Sequence, residues 1–77
     1  MEIKVLLFGS LTDIVGATEM IVDTENTIQS LRKKVTNKFP GMKNKIYAIA
    51  INSEITSEEK ELKEGDEVAF MPPFAGG

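Results

Sequence analysis

The residue types that this chain lacks set narrow limits on its chemistry. Its 77 residues include no cysteine, no histidine and no tryptophan. A thiol nucleophile, a disulfide framework, a zinc site with the usual ligands and an imidazole general base are therefore excluded. We expect no bound metal and no stably bound cofactor, and any covalent chemistry must use a different group.

The carboxyl-terminal stretch is the most unusual part of the sequence. It places two prolines, an aromatic residue and two glycines in the order Met71-Pro72-Pro73-Phe74-Ala75-Gly76-Gly77. Because glycine makes up about 7% of average protein sequence, a random chain ends in two glycines roughly once in 200. A frayed end or an expression scar can also contain glycine. Here, however, the glycines follow directly on a strand-like segment and a proline pair, so we predict that the tail is functional.

Length and composition indicate one small globular domain. A chain of this length buries only about 60% of its unfolded surface, which leaves a thin core. With 42% hydrophobic and 27% charged residues, the composition is typical of an ordinary globular protein. The amino terminus, Met1-Glu2-Ile3-Lys4, lacks a secretory signal, and no apolar run approaches the length of a bilayer span. We therefore expect a cytoplasmic protein with no membrane association.

The charge distribution disfavours nucleic-acid binding. The net charge is −3. The short basic patch Arg32-Lys33-Lys34 with Lys38 is the one place where the chain could neutralise phosphates and release their counterions. We interpret this patch as the solvated side of a helix, with a partner contact as the alternative. The acidic residues between Glu54 and Glu67 are interpreted as a solvated surface that can steer association with basic partners.

Hydrophobic spacing predicts an α+β domain with one helix packed across one face of a sheet. The predicted strands are Ile3 to Phe8, Thr18 to Val22, Ile46 to Ile51 and Glu67 to Met71, with a short edge piece at Glu54-Ile55. The main helix begins after a Thr27 cap and ends at Pro40-Gly41. Shorter helical turns are predicted at Leu11 to Val15 and at Ser57 to Glu61.

Residue alternation along the first and last strands divides the sheet into two faces. The face toward the helix is predicted to carry Ile3, Val5, Leu7, Val68 and Phe70. The opposite face is predicted to carry four apolar residues, Leu6, Phe8, Ala69 and Met71. One helix cannot cover both faces. Either the Leu11 to Val15 segment or a loop covers the second face, or an exposed apolar patch beside the tail marks a protein interface.

The chain resembles the ubiquitin-like β-grasp proteins, and its ending resembles the MoaD family of molybdopterin synthase small subunits. The specific segment is Gly65-Asp66-Glu67-Val68-Ala69-Phe70-Met71-Pro72-Pro73-Phe74-Ala75-Gly76-Gly77. Ile3 to Phe8, Leu11 to Gly16 and Ala50-Ile51-Asn52 also look like their counterparts. The resemblance implies a mixed sheet with one main helix, a β-grasp domain over residues 1–71 and a flexible extended tail over residues 72–77.

The same resemblance implies that the chemistry takes place on the last atoms of the chain. In this family a MoeB-like activating enzyme uses ATP to adenylate the carboxylate of the terminal glycine, here Gly77, and a sulfur donor converts it to a thiocarboxylate. The tail then enters a MoaE-like large subunit, where the sulfur is delivered to a precursor pterin to form the dithiolene that holds molybdenum or tungsten. The chain would thus be a sulfur carrier subunit and not an enzyme by itself.

The tail residues suit such a role. A Cβ at Gly76 or Gly77 would widen the tail inside a narrow partner channel, and Gly76 also allows backbone conformations closed to other residues. The pair Pro72-Pro73 fixes two φ angles, so less entropy is lost on binding. Residues 72–77 span about 20 Å when extended. Ala75 is expected to enter the partner channel together with the rest of the tail. Phe74 either anchors in a partner pocket or folds back on its own domain.

Two departures from the family pattern and several alternatives remain. Met71 and Phe74 stand where many relatives have Phe and Val, and Thr12 stands where many have Arg. A carrier for thiazole synthesis or RNA thiolation, or a ubiquitin-like protein modifier, would use the same Gly77 adenylate with a different acceptor. A β-grasp binding module without tail chemistry is the remaining alternative.

Overall fold

The computed structural model describes residues 1–56 and 60–72 of the chain. Its elements are β1 (Glu2–Leu7), α1 (Leu11–Val15), β2 (Glu19–Asp23), α2 (Ile28–Lys38), a 3₁₀ helix (Pro40–Met42), β3 (Ala48–Ile51), β4 (Glu54–Ile55) and β5 (Glu67–Met71). The strands form one sheet in the order β2-β1-β5-β3-β4. β1 and β5 are parallel, and the other neighbouring strands are antiparallel. The predicted mixed sheet with one main helix is confirmed.

The central strand pair forms the middle of the hydrophobic core. The register of β1 and β5 places Val5 beside Val68 and Leu7 beside Phe70. These side chains and that of Ile3 are at most 2% exposed. They share one core cluster with the buried residues of α2, Ile28, Leu31 and Val35. The predicted inward face is therefore confirmed, and burial of each of its larger side chains stabilises the fold by about 1.5–3 kcal/mol.

The main helix begins and ends where the sequence predicts, for reasons that lie in its flanking residues. Thr27 has an extended backbone, and its Oγ1 accepts a hydrogen bond from the Ser30 N–H at 3.1 Å. At the other end, the ring of Pro40 disfavours a helical backbone in the residue before it, Phe39. Phe39 accordingly leaves the helix with φ −130° and ψ 85° and packs, half-buried, against the core. The helix thus has a fixed length and one buried face.

Three strands have other bounds than predicted. β1 covers Glu2–Leu7 instead of Ile3 to Phe8, which is a shift of one residue, and β3 begins at Ala48 instead of Ile46. After Phe8 the chain turns at Gly9, which has φ +58°, and Ile46 is 79% exposed. β2 covers Glu19–Asp23 instead of Thr18 to Val22. At Phe8 and Ile46 the apolar pattern continues past the strand, whereas the pairing of β2 continues to Asp23, beyond the predicted end. The sequence pattern alone therefore does not locate the strand ends.

The segment before β5 is fixed by polar side chains. Asp66 accepts hydrogen bonds from the Lys63 N–H at 2.8 Å and from the Asn52 amide at 3.1 Å. The Asn52 Oδ1 in turn accepts from the Glu67 N–H at 3.0 Å. Part of the predicted acidic surface thus has a structural role, because Asp66 helps to fix the point at which β5 begins. The helical turn predicted at Ser57 to Glu61 lies mostly outside the described residues.

Loss of the helix cap tests the local energetics. We expect Thr27→Ala to lower the free energy of unfolding by about 1 kcal/mol, because the Ser30 N–H loses its acceptor at the first turn. Chemical denaturation followed by far-UV circular dichroism measures this change. The matched control is Gln29→Ala in the same turn, where the side chain is exposed and the expected change is within about 0.5 kcal/mol. Equal effects of the two substitutions would contradict the capping role.

Candidate functional site

The tail begins at the end of the central strand pair. β5 ends at Met71, and Pro72 follows it as the last residue that the structure describes. The other residues assigned to the tail, Pro73, Phe74, Ala75, Gly76 and Gly77, lie outside the described residues. The predicted tail therefore starts from a strand that is paired on both sides, and the direction of its first residue is set by the sheet.

A close contact holds Pro72 against the loop after β1. Gly9 is the second residue after the end of β1 and has φ +58°. A Cβ built on Gly9 would lie 2.7 Å from Cγ of Pro72, which is closer than two non-bonded carbon atoms approach in proteins. The Gly9 carbonyl also accepts a hydrogen bond from the Thr12 hydroxyl at 2.8 Å. Gly9 is thus required both for the turn and for the position of the first tail residue.

The sheet face opposite α2 carries a continuous apolar row. The strand registers pair Leu6 with Ala69, Ala69 with Ala50 and Ala50 with Ile55, so the row crosses four strands. Paired residues in neighbouring strands lie on the same face. The small alanines make the middle of the row flat, and the exposed Ile55 side chain forms one end. We call this surface the outer face.

The four predicted interface residues lie together on the outer face. Leu6, Phe8, Ala69 and Met71 line one groove of about 320 Å³, together with Ala50, Ser53, Ile55 and Glu67. Phe8 is 46% exposed and Ile55 is 77% exposed, so both side chains are accessible to a partner. The groove adjoins the start of the tail, because Met71 immediately precedes Pro72. A partner that binds the outer face would therefore also meet the tail.

The first helix does not cover the outer face. Leu11 is 2% exposed and belongs to the core cluster, and Ile14 and Val15 pack against that cluster. Ile14 also approaches the turn after α2, where a Cβ on Gly41 would lie 3.0 Å from its Cγ2. α1 is thus on the same side of the sheet as α2. Among the described residues the outer face stays open, which supports the exposed-patch interpretation and contradicts cover by the Leu11 to Val15 segment.

The charged groups around the outer face suit binding more than catalysis. Lys4 and Glu19 form an exposed ion pair at 3.3 Å, and Glu67 lies at the groove. Within residues 1–56 and 60–72, no group of three or more acidic residues could hold a metal ion. No helix in the same residues is long and apolar enough to cross a membrane. The described part of the site is an apolar surface with a polar rim.

Sequence reasoning missed three residues of this site. Gly9 gives no local signal of its role, because its contact with Pro72 joins positions that are far apart in the chain. Ala50 and Ile55 were read only as parts of strands. Their place on the outer face depends on the pairing of β3 with β4 and β5, which no periodicity in a single strand reveals.

Comparisons with known proteins agree with the fold. The model of the ThiS family matches residues 5–77. The molybdopterin synthase sulfur carrier subunit of Escherichia coli is 35% identical, with 97% of this chain and 99% of that protein covered.

Two solved structures are similar over nearly the whole chain. The first, from Pyrococcus furiosus, was assigned as a candidate molybdopterin converting factor subunit 1. It has a TM-score of 0.89 at 22% identity, and 96% of this chain and 99% of that chain are covered. The second is in a complex of subunits 1 and 2 of the molybdopterin-converting factor from Helicobacter pylori, with a TM-score of 0.73 at 26% identity over 100% of both chains. The predicted β-grasp fold is confirmed.

The contact between Gly9 and Pro72 can be separated from backbone strain. We expect Gly16→Ala to lower the free energy of unfolding by about 1–2 kcal/mol, because Gly16 has positive φ and an L-residue is strained there. Gly9→Ala should lower it further, because its Cβ would also meet the Pro72 ring. Only Gly9→Ala should shift the NMR resonances of Met71 and Pro72, since a Cβ at Gly16 meets nothing within 4 Å. Unchanged Pro72 resonances in Gly9→Ala would show that Gly9 does not position the tail.

Proposed function

Because the chain belongs to the ThiS family, we propose that it is the sulfur carrier subunit of a molybdopterin synthase and that the carboxylate of Gly77 carries the sulfur. The observation that carries this proposal is the 35% identity, over nearly the full length of both chains, to the sulfur carrier subunit of Escherichia coli. The Gly76-Gly77 ending lies within the residues that the family model matches. The outer face beside the start of the tail gives such a carrier a docking surface.

The proposed cycle takes place on the Gly77 carboxylate. A MoeB-like adenylyltransferase transfers AMP from ATP to a carboxylate oxygen and releases pyrophosphate. Sulfur from a donor then attacks the carboxyl carbon of Gly77 and displaces AMP. The bridging oxygen leaves as part of AMP, so the product is a thiocarboxylate. In the large subunit the sulfur passes to the precursor pterin, water supplies the replacement oxygen, and Gly77 returns to a carboxylate. Adenylation is needed because AMP is a far better leaving group than the oxygen of a free carboxylate.

The geometry assigns a separate task to each part of the chain. β5 and the contact between Gly9 and Pro72 fix the direction in which the tail leaves the domain. The residues from Pro72 to Gly77 then span up to about 20 Å, enough to carry the carboxylate into a partner. The described residues offer a surface for binding and no cluster of catalytic groups. We assign catalysis of adenylation and of sulfur transfer to the partner enzymes, and we propose that the cycle takes place in the cytoplasm.

The large subunit is proposed to bind the outer face. The structure similar to this chain from Helicobacter pylori is that of a complex between subunits 1 and 2. Half-exposed Phe8 beside Met71 resembles the aromatic anchors that contribute most to many interfaces. The flat alanine row lets a partner approach the sheet closely. A partner bound there receives the tail from the same edge of the domain.

Intact-mass analysis tests the proposed activation. We expect incubation with ATP, a cognate adenylyltransferase and a sulfur donor to add the mass that results when sulfur replaces one oxygen. The chain that lacks Gly77 should stay folded, by its NMR spectrum, and gain no mass, because its terminal residue no longer reaches the same position. No mass gain in the full chain, with the enzyme active on another carrier, would contradict the proposal and favour a β-grasp binding module.

Loss of one aromatic side chain tests the docking surface. We expect Phe8→Ala to weaken binding to the large subunit by about tenfold or more, which corresponds to at least about 1.4 kcal/mol. Ile46→Ala is the matched control, because Ile46 is 79% exposed and is not among the residues that line the outer-face groove. Isothermal titration calorimetry measures both. If the two variants bind equally well, the outer face is not the docking surface.

A further inference from the structure

A second groove lies between β2 and α2, at the edge of the sheet. Its walls include Met20 and Val22 from β2 and Val35 from α2, and its volume is about 170 Å³. Lys34 and Lys38 also line it. They are one helical turn apart and both are exposed, so their ammonium groups flank an apolar floor. Both belong to the basic patch that the sequence predicts as a solvated helix side, with a partner contact as the alternative.

The free edge of β2 supplies backbone hydrogen-bonding groups beside this groove. The Thr24 N–H donates to the Met1 carbonyl at 2.9 Å, and the Thr18 carbonyl accepts from the Leu7 N–H at 2.9 Å. Residues of an antiparallel strand alternate in the side to which their N–H and C=O groups point. Since Thr18 and Thr24 bond to β1, the odd-numbered residues between them direct these groups away from β1. These residues are Glu19, Ile21 and Asp23, and no strand in residues 1–56 and 60–72 pairs with this edge.

The local charge favours an acidic ligand. Asp23 is engaged by the amino-terminal ammonium group of Met1 at 3.2 Å, and Glu19 is engaged by Lys4 at 3.3 Å. The two carboxylates of β2 are thus partly compensated by cations from the β1 side. The lysines of the groove have no such partner carboxylate on β2. The charged residues that line the groove are Lys34, Lys38 and Asp23, so cations outnumber anions there, although the whole chain has a net charge of −3.

We propose that the groove between β2 and α2 binds an extended acidic segment of a partner protein, which adds a sixth strand to the sheet beside β2. The backbone of the segment pairs with Glu19, Ile21 and Asp23. Apolar side chains on one face of the segment pack on the groove floor, and its carboxylates meet Lys34 and Lys38. A second copy of this chain is a poorer occupant, because the carboxylates of its own β2 are already engaged.

This site is separate from the outer face. β2 is at one edge of the sheet, and β1 lies between it and β5. The groove is on the helix side of the sheet, whereas the outer face is on the other side. A partner bound at β2 would therefore leave the tail and the outer face accessible. The proposal does not depend on the sulfur chemistry at Gly77, so either can fail without the other.

Amide exchange gives a direct test of strand addition. The probe is a synthetic peptide in which valine alternates with threonine and which ends in three aspartates. With the full-length protein labelled with ¹⁵N, we expect the peptide to slow hydrogen exchange at the amides of Glu19, Ile21 and Asp23. Exchange at Met20 and Val22 should change little, because β1 already protects them. Absence of this alternation, or strongest protection on the outer face, would overturn the proposal.

Charge reversal identifies the part played by the two lysines. We expect the double variant Lys34→Glu and Lys38→Glu to weaken peptide binding by about tenfold or more, as measured by fluorescence anisotropy at low salt. The matched control, Lys43→Glu and Lys45→Glu, makes the same change in net charge outside the groove. Equal losses in both double variants would show non-specific attraction and overturn the site. Protection of the β2 edge that grows with protein concentration without peptide would indicate self-association and would also overturn it.

Discussion

The parallel pairing of β1 with β5 is the constraint on which the rest of the structure depends. The two strands come from opposite ends of the chain, so their pairing closes the domain and places both in the middle of the sheet. Their inward side chains, led by Val5, Val68 and Phe70, are fully buried. β5 is paired on both sides, with β1 and with β3. The proposed tail therefore starts from a central strand of the sheet.

The same strand pair produces the outer face. A strand that buries alternate residues against α2 presents the others on the opposite side. In this chain those others include the apolar residues Leu6, Ala69 and Met71 beside the charged pair Lys4 and Glu67, and among the described residues neither helix covers them. The three small or apolar partners in the middle row, Ala69, Ala50 and Leu6, keep the surface flat. The alternation of side chains along β1 and β5 therefore produces both the core and an apolar surface whose burial by a partner is favourable.

Much of this architecture could be predicted from the sequence, and the failures have a common physical cause. The cap at Thr27 and the stop at Pro40 are local signals and were predicted correctly. The inward and outward faces of β1 and β5 follow from residue alternation and were also correct. Strand ends were wrong by one or two residues, because pairing stops where partners end and not where apolar residues end. The position of α1 and the contact between Gly9 and Pro72 depend on tertiary packing that no local pattern encodes.

The most direct test of the central claim follows the sulfur itself. The chain is first thiocarboxylated at Gly77 and then mixed with a molybdopterin synthase large subunit and the precursor pterin, and mass spectrometry follows the protein and the pterin together. We predict that the chain returns to the mass of its carboxylate form as the pterin gains sulfur. A chain that keeps its sulfur while bound to an active large subunit, or that donates it only to a thiazole precursor or to RNA, would contradict this account.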